Sequence, residues 1–359
     1  MTQVQLAHAT GLSPASVSNI VHELLDVNRV EVLPTTSSGR AANLVRLVAD
    51  DRVVVGVDVD HARVRVAVAD ANRVVLSEVS SPLIEGHEVA NDLELALTMA
   101  RQAMKEAGFE WDQLAGVSLA VPAPIDSNTG LLGSSSILPG WAHVAVGGEL
   151  QRRIGVPVLV ENNANLGAWG EYVSGNGRGA KSLVYLTIGA GIGSGFVLDG
   201  RLFRGAAGLA GEIGHIAVDE RGPLCRCGNR GCLESFASGP ILLQTLGNSH
   251  PDLTGVPDMV QRALKGDLGV QRVISDAGRA VGMAVANLCN VLNPDRIVVG
   301  GDIAEAGEIF LSPLREAVAR FSVPRTVSDD LIVRAGLGTR SELVGAIDLA
   351  VARLTAVAP

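Results

Sequence analysis

His215, Cys225, Cys227 and Cys232 follow one another in the order H-x9-C-x-C-x4-C, which gathers three of the chain's four cysteines behind one histidine. One imidazole and three thiolates supply the four soft or borderline ligands of a closed tetrahedral zinc site. Glycines at 222, 228 and 231 let so short a loop curl round an ion. A filled shell leaves no position for water, so the expected Zn2+ is structural and matters for what its loop holds in place. Glu212, His215 and Glu234 are the candidates. A zinc-bound imidazole keeps a second nitrogen for a carboxylate or ligand. Two carboxylates beside such a ring suit the binding of several hydroxyl groups; a pair of solvated surface glutamates is the competing reading.

A second stretch with chemistry in it is TIGAGIGSG at 187–195, with glycines at 189, 191, 193 and 195 between two apolar runs. The spacing differs from the G-x-G-x-x-G of dinucleotide binders and does not lead into a helix. It suits a β-hairpin whose exposed amides approach an anion such as a nucleotide phosphate, or simply a tight hairpin.

These residues need a scaffold, and the pattern from Arg52 onward supplies one. Strands are expected at Val53–Val57, Arg63–Ala69 and Val74–Val79, a helix over 89–107, and strands at Gly116–Val121 and Val156–Val160. A second round runs through Leu183–Ile188, Ser194–Leu198, a helix over 273–292, a strand at Arg296–Val299 and a last helix over 341–354. Two similar units with strands leading into glycine turns imply a bilobal α/β body with a cleft between lobes. The expected lobes are 51–165 plus 341–359, and 166–340. Hydrophobic residues make up 47% of the 359 and aromatics only 3%, so Val, Ala, Leu and Ile build the core. No apolar run reaches the ~18 residues of a membrane helix and no signal peptide opens the chain. A thiolate cluster with a lone Cys289 points to a reducing cytoplasm. The net charge of −9 argues against coating nucleic acid over the whole surface, but leaves room for one small DNA-binding module.

Residues 1–50 read as that module. TQVQLAHAT makes a short helix over 2–10, Gly11-Leu12 turns, and Ser13-Pro14 opens a second helix as N-cap and first-turn proline. Val17, Ile20, Val21 and Leu24 give it an apolar face. Ser13, Ser16, Ser18, Asn19 and His22 are short polar groups able to reach base edges and phosphates. Strands near 30–33 and 43–48 flank TTSSGR, with Arg40 at the tip. Helix, turn, helix, hairpin is the order of a winged helix-turn-helix. Three basic side chains, Arg29, Arg40 and Arg46, meet four acidic ones in this segment, so it carries no basic surplus. A winged helix also needs a further helix to cover these two, and its expected place is upstream of Met1.

Taken together, GVDVD at 56–60, VENNANLGAWGE at 160–171, TIGAGIGSG at 187–195, GEIGH at 211–215, CRCGNRGCLE at 225–234 and VGGD at 299–302 resemble the ROK family of repressors, open reading frames and sugar kinases over essentially the whole chain. The resemblance implies an actin-like, ribonuclease-H-type bilobal fold, commonly dimeric or tetrameric, with sugar contacts on Asn162, Glu212, His215 and Glu234. It also locates two departures. Family kinases carry an aspartate base where this chain has Asn163, whose carboxamide can hold a hydroxyl but cannot take its proton near neutral pH. Their first phosphate loop reads D-x-G-G-T; here Asp58 is followed by Asp60, His61 and Ala62, and Asp60 would repel phosphates. The expectation is therefore a DNA-binding regulator, a repressor, that binds a monosaccharide or sugar phosphate without phosphorylating it. It would act on operator DNA as a homodimer or homotetramer. The alternatives are an active glucokinase-like ATP-dependent sugar kinase with a regulatory head, and a ligandless scaffold.

Overall fold

The computed structural model describes residues 1–26, 30–37, 40–47, 51–83, 88–126, 128–133, 139–323 and 330–356. The chain divides into two compact units, Met1–Arg52 with Thr355–Pro359, and Val53–Leu354.

In the small unit, α1 (Gln3–Thr10) begins at a capping box: the Thr2 hydroxyl accepts from the Gln5 amide, and the Gln5 side chain from the Thr2 amide. Gly11, in the left-handed region at φ 70°, stops it. Then α2 (Pro14–Asp26) opens where Ser13 Oγ accepts from the Ser16 amide at 3.1 Å. An antiparallel hairpin of β1 (Val30–Ser37) and β2 (Arg40–Leu47) follows in the register Val30↔Leu47 to Ser37↔Arg40. Met1 extends it, exchanging backbone hydrogen bonds with Val45 in both directions. The core is Val17, Val21 and Val30, with Leu6, Leu24 and Leu25 against it. Ile20, expected on the apolar face, is 42% exposed. At 3.6 residues per turn the stripe through 17, 21, 24 and 25 is centred on Val21, and Ile20 falls beyond its edge.

The larger unit repeats one topology. β3 (Val53–Val59), β4 (Arg63–Ala69) and β5 (Val75–Pro82) form an antiparallel meander. After α3 (Val89–Ala107), β6 (Leu114–Val121) joins β3 in parallel; after α4 (Val146–Ile154), β7 (Val158–Asn162) joins β6, and α5 (Asn163–Ser174) leaves the sheet. β7 begins two residues later than expected, because Pro157 has no amide to give a ladder and offers only its carbonyl, to Val117. The second round sets β8 (Ser182–Ile188), β9 (Ile192–Leu198) and β10 (Arg201–Leu202) antiparallel. Next come α6 (Glu234–Ala237), α7 (Gly239–Leu246), α8 (Val256–Leu264) and α9 (Leu268–Leu292). β11 (Arg296–Gly300) then joins β8 in parallel, α10 (Glu308–Phe321) follows, and β12 (Ile332–Arg334) joins β11 before α11 (Ser341–Ala356). The sheet orders β5-β4-β3-β6-β7 and β10-β9-β8-β11-β12 are the same pattern twice. The α/β expectation is met.

Helices cover both faces of each sheet of the larger unit, leaving outer strand β5 partly exposed. α3 and α4 cover one face of the first sheet and α11 the other, through Leu343, Ile347 and Val351. The long helices α9 and α10 cover one face of the second, and α5 sits on the other against Tyr185 and Val298. α5 and α11 then meet each other. A Cβ on Gly345 would overlap the Leu166 carbonyl oxygen, and one on Gly170 would come 2.8 Å from the Gly345 amide nitrogen, so glycine on both helices permits backbone contact. Glu171 ties the crossing together, fully buried and accepting from the Ser341 hydroxyl and the amides of Asn176, Gly336 and Leu337 at 2.8–3.0 Å. Ser174 donates to Asp348 at 2.9 Å one turn further on.

Candidate functional site

Between the two sheets lies a cleft of about 300 Å³. The ends of β3, β4 and β7, the β8–β9 hairpin, the turn at 211–215 and the 225–234 loop all reach it. It brings together every residue expected to hold a sugar: Asn162, Asn163, Glu212, His215 and Glu234 line one half. Asn162 is the N-cap of α5. Its Oδ1 accepts from the amides of Ala164 and Asn165 and its Nδ2 donates to the Ala123 carbonyl at 3.2 Å, so much of its carboxamide is spent on the backbone. Asn163 Oδ1 accepts from the Ala164 amide at 2.8 Å. Glu234 begins α6 almost fully buried; one oxygen accepts from the Ile192 amide at 3.1 Å and the other from Arg226 Nε at 2.6 Å. Arg226 is a lining residue that motif spacing did not single out. Burial, and then the charge of Glu234, push the Glu212 carboxyl up, while His215 opposes them.

The metal loop adjoins this half. The ligand atoms of His215, Cys225, Cys227 and Cys232 lie within 4.8 Å of one another. His215 Nδ1 is 3.8 Å from Cys225 Sγ, and the Cys227 and Cys232 sulfurs are 3.6 Å apart. Thiolates on one tetrahedral zinc at about 2.3 Å stand roughly 3.7 Å apart, whereas a disulfide needs about 2.05 Å; all four cysteines are free. The donor set therefore fits a tetrahedral cation. Gly228 and Gly231 take φ of 93° and 66°, the left-handed turns that wrap the loop. With Nδ1 turned to the cysteines, His215 Nε2 faces Glu212, 3.7 Å from Oε2. The two nitrogens thus divide between the cysteine cluster and the Glu212 carboxylate.

The other half of the cleft is built differently. Arg65 on β4 stands directly across the strand pair from Asp58 on β3. Its Nε and Nη2 both donate to Asp58 Oδ2, at 3.0 and 2.5 Å, and Nη2 is 3.9 Å from Glu342. Its Nη1 donates to the Thr339 carbonyl. Tyr185 donates to Glu342 at 2.8 Å. Burial and the charge of Asp58, against the pull of Arg65, lift the Glu342 carboxyl to about 7. Arg63 pairs with Asp302, a contact between the two sheets at 3.1 Å. Asp60 lines the cleft, its carboxyl raised by burial and then by Asp58. His61 and Ala62, which stand where the family's first phosphate loop has glycine and threonine, are exposed beside it. Arg65 lines this half of the cleft, paired with Asp58. A sequence signal for it existed: a hairpin turning at 61–62 must set 58 opposite 65. Gly189 and Gly191 of the second loop line the cleft. Gly195 does not; it packs against α5, where a Cβ would strike the Ala164 carbonyl.

Residues 54–353 match the model of the ROK family. The chain belongs to that family. A xylose repressor of Caldicellulosiruptor bescii is 28% identical over 98% of this chain and 92% of its own length. A glucokinase of Thermotoga maritima is 30% identical over 82% of this chain and 96% of its own. A crystal structure of a ROK family transcriptional regulator, a homolog of the E. coli MLC protein, superposes with a TM-score of 0.80 over 98% of this chain and 92% of its own at 24% identity, which supports the fold.

The small unit of this ROK protein is reached by the repressor match, which covers 98% of the chain, and lies outside the 54–353 span of the family model. Ser13, Ser16, Asn19 and His22 are exposed on or before α2, and Ser18 is partly buried. Ser13 is also the helix cap, and its hydroxyl lies 2.9 Å from that of Ser16. Arg40 begins β2, but its side chain lies outside the described residues. No described helix is long and apolar enough to cross a membrane.

Proposed function

We propose that this ROK protein is a sugar-responsive transcriptional repressor. In this reading the small unit binds operator DNA, and a neutral monosaccharide binds in the cleft and is not phosphorylated. The observation that carries the reading is the contrast between the halves of the cleft. On the sugar side, Glu212, His215 and Glu234 converge beside a metal-fitting loop. On the nucleotide side, Arg65 fills the phosphate space and takes up the Asp58 carboxylate, and Asn163 supplies no base. Six carboxylates line the cleft (Asp58, Asp60, Glu212, Glu234, Asp302 and Glu342) against three arginines, each already paired with one of them. That excess of negative charge favours a neutral sugar over its phosphate and disfavours ATP. In the same reading one structural Zn2+ is held by His215, Cys225, Cys227 and Cys232, and the protein works in the cytoplasm as a homodimer or homotetramer. Relatives named xylose repressors put xylose first among sugars to try. An effector changes DNA affinity only by binding one conformation better than another; the α5–α11 crossing is the element both lobes share.

The kinase reading rests on the glucokinase relatives and requires a proton acceptor near Asn163 and space for the ATP phosphates. Calorimetry with neutral monosaccharides, their 6- or 5-phosphates and Mg-ATP separates the readings. Binding of one neutral sugar without ADP release is expected; sugar-dependent ADP release would replace repressor-only function with catalysis.

A further inference from the structure

Resting on the sugar reading of the cleft, we propose that Arg226 is a positioning residue of the sugar site, through which the metal loop holds Glu234 in hydroxyl-accepting geometry. Arg226 stands between Cys225 and Cys227 in a tight turn, closed by the Gly228 amide on the Cys225 carbonyl at 2.9 Å and by the Cys225 amide on the Asn229 carbonyl at 2.7 Å. Its place is therefore set by the residues on either side of it that fit a metal. From there its Nε reaches eight residues along the chain to Glu234 Oε1 at 2.6 Å.

An ionised carboxylate offers about four acceptor positions. Arg226 takes one on Oε1 and the Ile192 amide one on Oε2, so roughly two remain for sugar hydroxyls. Arg226 thus orients Glu234 without blocking it. It also supplies the positive charge that lets Glu234 and Glu212 share one wall of the cleft; without it, two carboxylates would face the ligand with only His215 between them. Ordering of the loop at His215, Cys225, Cys227 and Cys232 is on this account felt at the sugar through one guanidinium.

The test is calorimetry of the parent, Arg226→Met, Arg226→Lys, Glu234→Gln and the double variant Arg226→Met/Glu234→Gln against a panel of neutral monosaccharides. Zinc content is measured on every sample. Loss of a charge-assisted hydrogen bond to a buried carboxylate predicts roughly ten- to hundred-fold weaker sugar binding in Arg226→Met. Zinc content should be unchanged, and Arg226→Lys should recover part of the affinity, because it restores the charge without the fork. In the Glu234→Gln background the same Arg226→Met change should cost less than about three-fold. A parent that binds no sugar overturns the reading of the cleft and this proposal with it. A parent that binds while Arg226→Met binds as tightly overturns the proposal alone. So does an equal loss in both backgrounds, or loss of zinc from Arg226→Met, since Arg226 would then serve the ligand or the metal directly.

Discussion

Arg65 and Asp58 face each other across β3 and β4, and both Nε and Nη2 of the arginine donate to one carboxylate oxygen, Oδ2. Both side chains are buried, at 9% and 2% exposure. A carboxylate held this way is unavailable to a metal–nucleotide complex, and a guanidinium occupies the volume beside it. In the proposed repressor reading, kinase chemistry is blocked at two places, Asn163 and Arg65.

It follows that Asn163→Asp alone leaves the protein inactive as a kinase. A restored base is worth ~10²–10⁴-fold in rate only where nucleotide binds. The fuller reversal, adding Arg65→Ala and glycines at 60 and 61, should be needed before Mg-ATP binding appears by calorimetry. Sugar-dependent ADP release by Asn163→Asp alone would show that the nucleotide half is open.

Replacing Cys227 with serine should remove zinc, from one per chain in the parent to well below that, and weaken sugar binding at least ten-fold. A hydroxyl is a poor substitute for a thiolate on zinc, and His215 and Arg226 both depend on the loop. Plasma emission for metal and calorimetry for sugar read the two effects; full zinc with unchanged affinity would remove Cys227 from the ligand set.

On the small unit, Asn19→Ala and His22→Ala should each weaken operator binding by roughly 5- to 150-fold, the range of about 1–3 kcal/mol for a lost base contact, without altering the melting temperature, since both side chains are exposed. Ser13→Ala should do both, costing about 1 kcal/mol of stability through the lost cap. Anisotropy on labelled operator DNA decides; unchanged affinity in Asn19→Ala and His22→Ala would move the DNA-reading surface off α2.

Asp348 gives a pH signature. Burial lifts its carboxyl to about 6, against the opposing Ser174 hydrogen bond and the charge of Arg73. The unfolded value is about 3.9, so the folded chain holds the proton more tightly. The stability this contributes is full below about pH 4 and is lost as pH rises through 6. Asp348→Asn keeps a partner for Ser174 but cannot ionise, so it should flatten the decline in urea-unfolding stability between about pH 4 and 6.5, by up to about 3 kcal/mol. An unaltered slope would mean that another group sets it.

The features legible in the sequence were those whose cause is local. The metal cluster was visible because its four ligands fall within eighteen residues and their chemistry is distinctive. Strands such as Arg63–Ala69 were visible because β-branched runs bounded by turns have few other uses. What was hidden depends on partners far along the chain. Arg65 finds Glu342 and the Thr339 carbonyl more than 270 residues away, and nothing near Arg65 announces them. The Gly170–Gly345 crossing is likewise a relation between helices 175 residues apart. Arg226 was passed over because its neighbours are cysteines, and a residue between metal ligands reads as spacer until its side chain is seen on Glu234. Ile20 was misplaced because a four-residue stripe was centred one residue off.

The central claim is that one small neutral sugar, bound and not consumed, sets DNA affinity. It is tested most directly by fluorescence anisotropy of the zinc-loaded protein on DNA from upstream of its own gene, titrated with neutral monosaccharides and their phosphates in the absence of ATP. The account predicts tight, salt-dependent binding that one neutral sugar alters at least ten-fold, while its phosphate does not and Glu234→Gln shifts the response to higher sugar concentration. Tight binding that no sugar changes, or a change only when ATP is present, would contradict it.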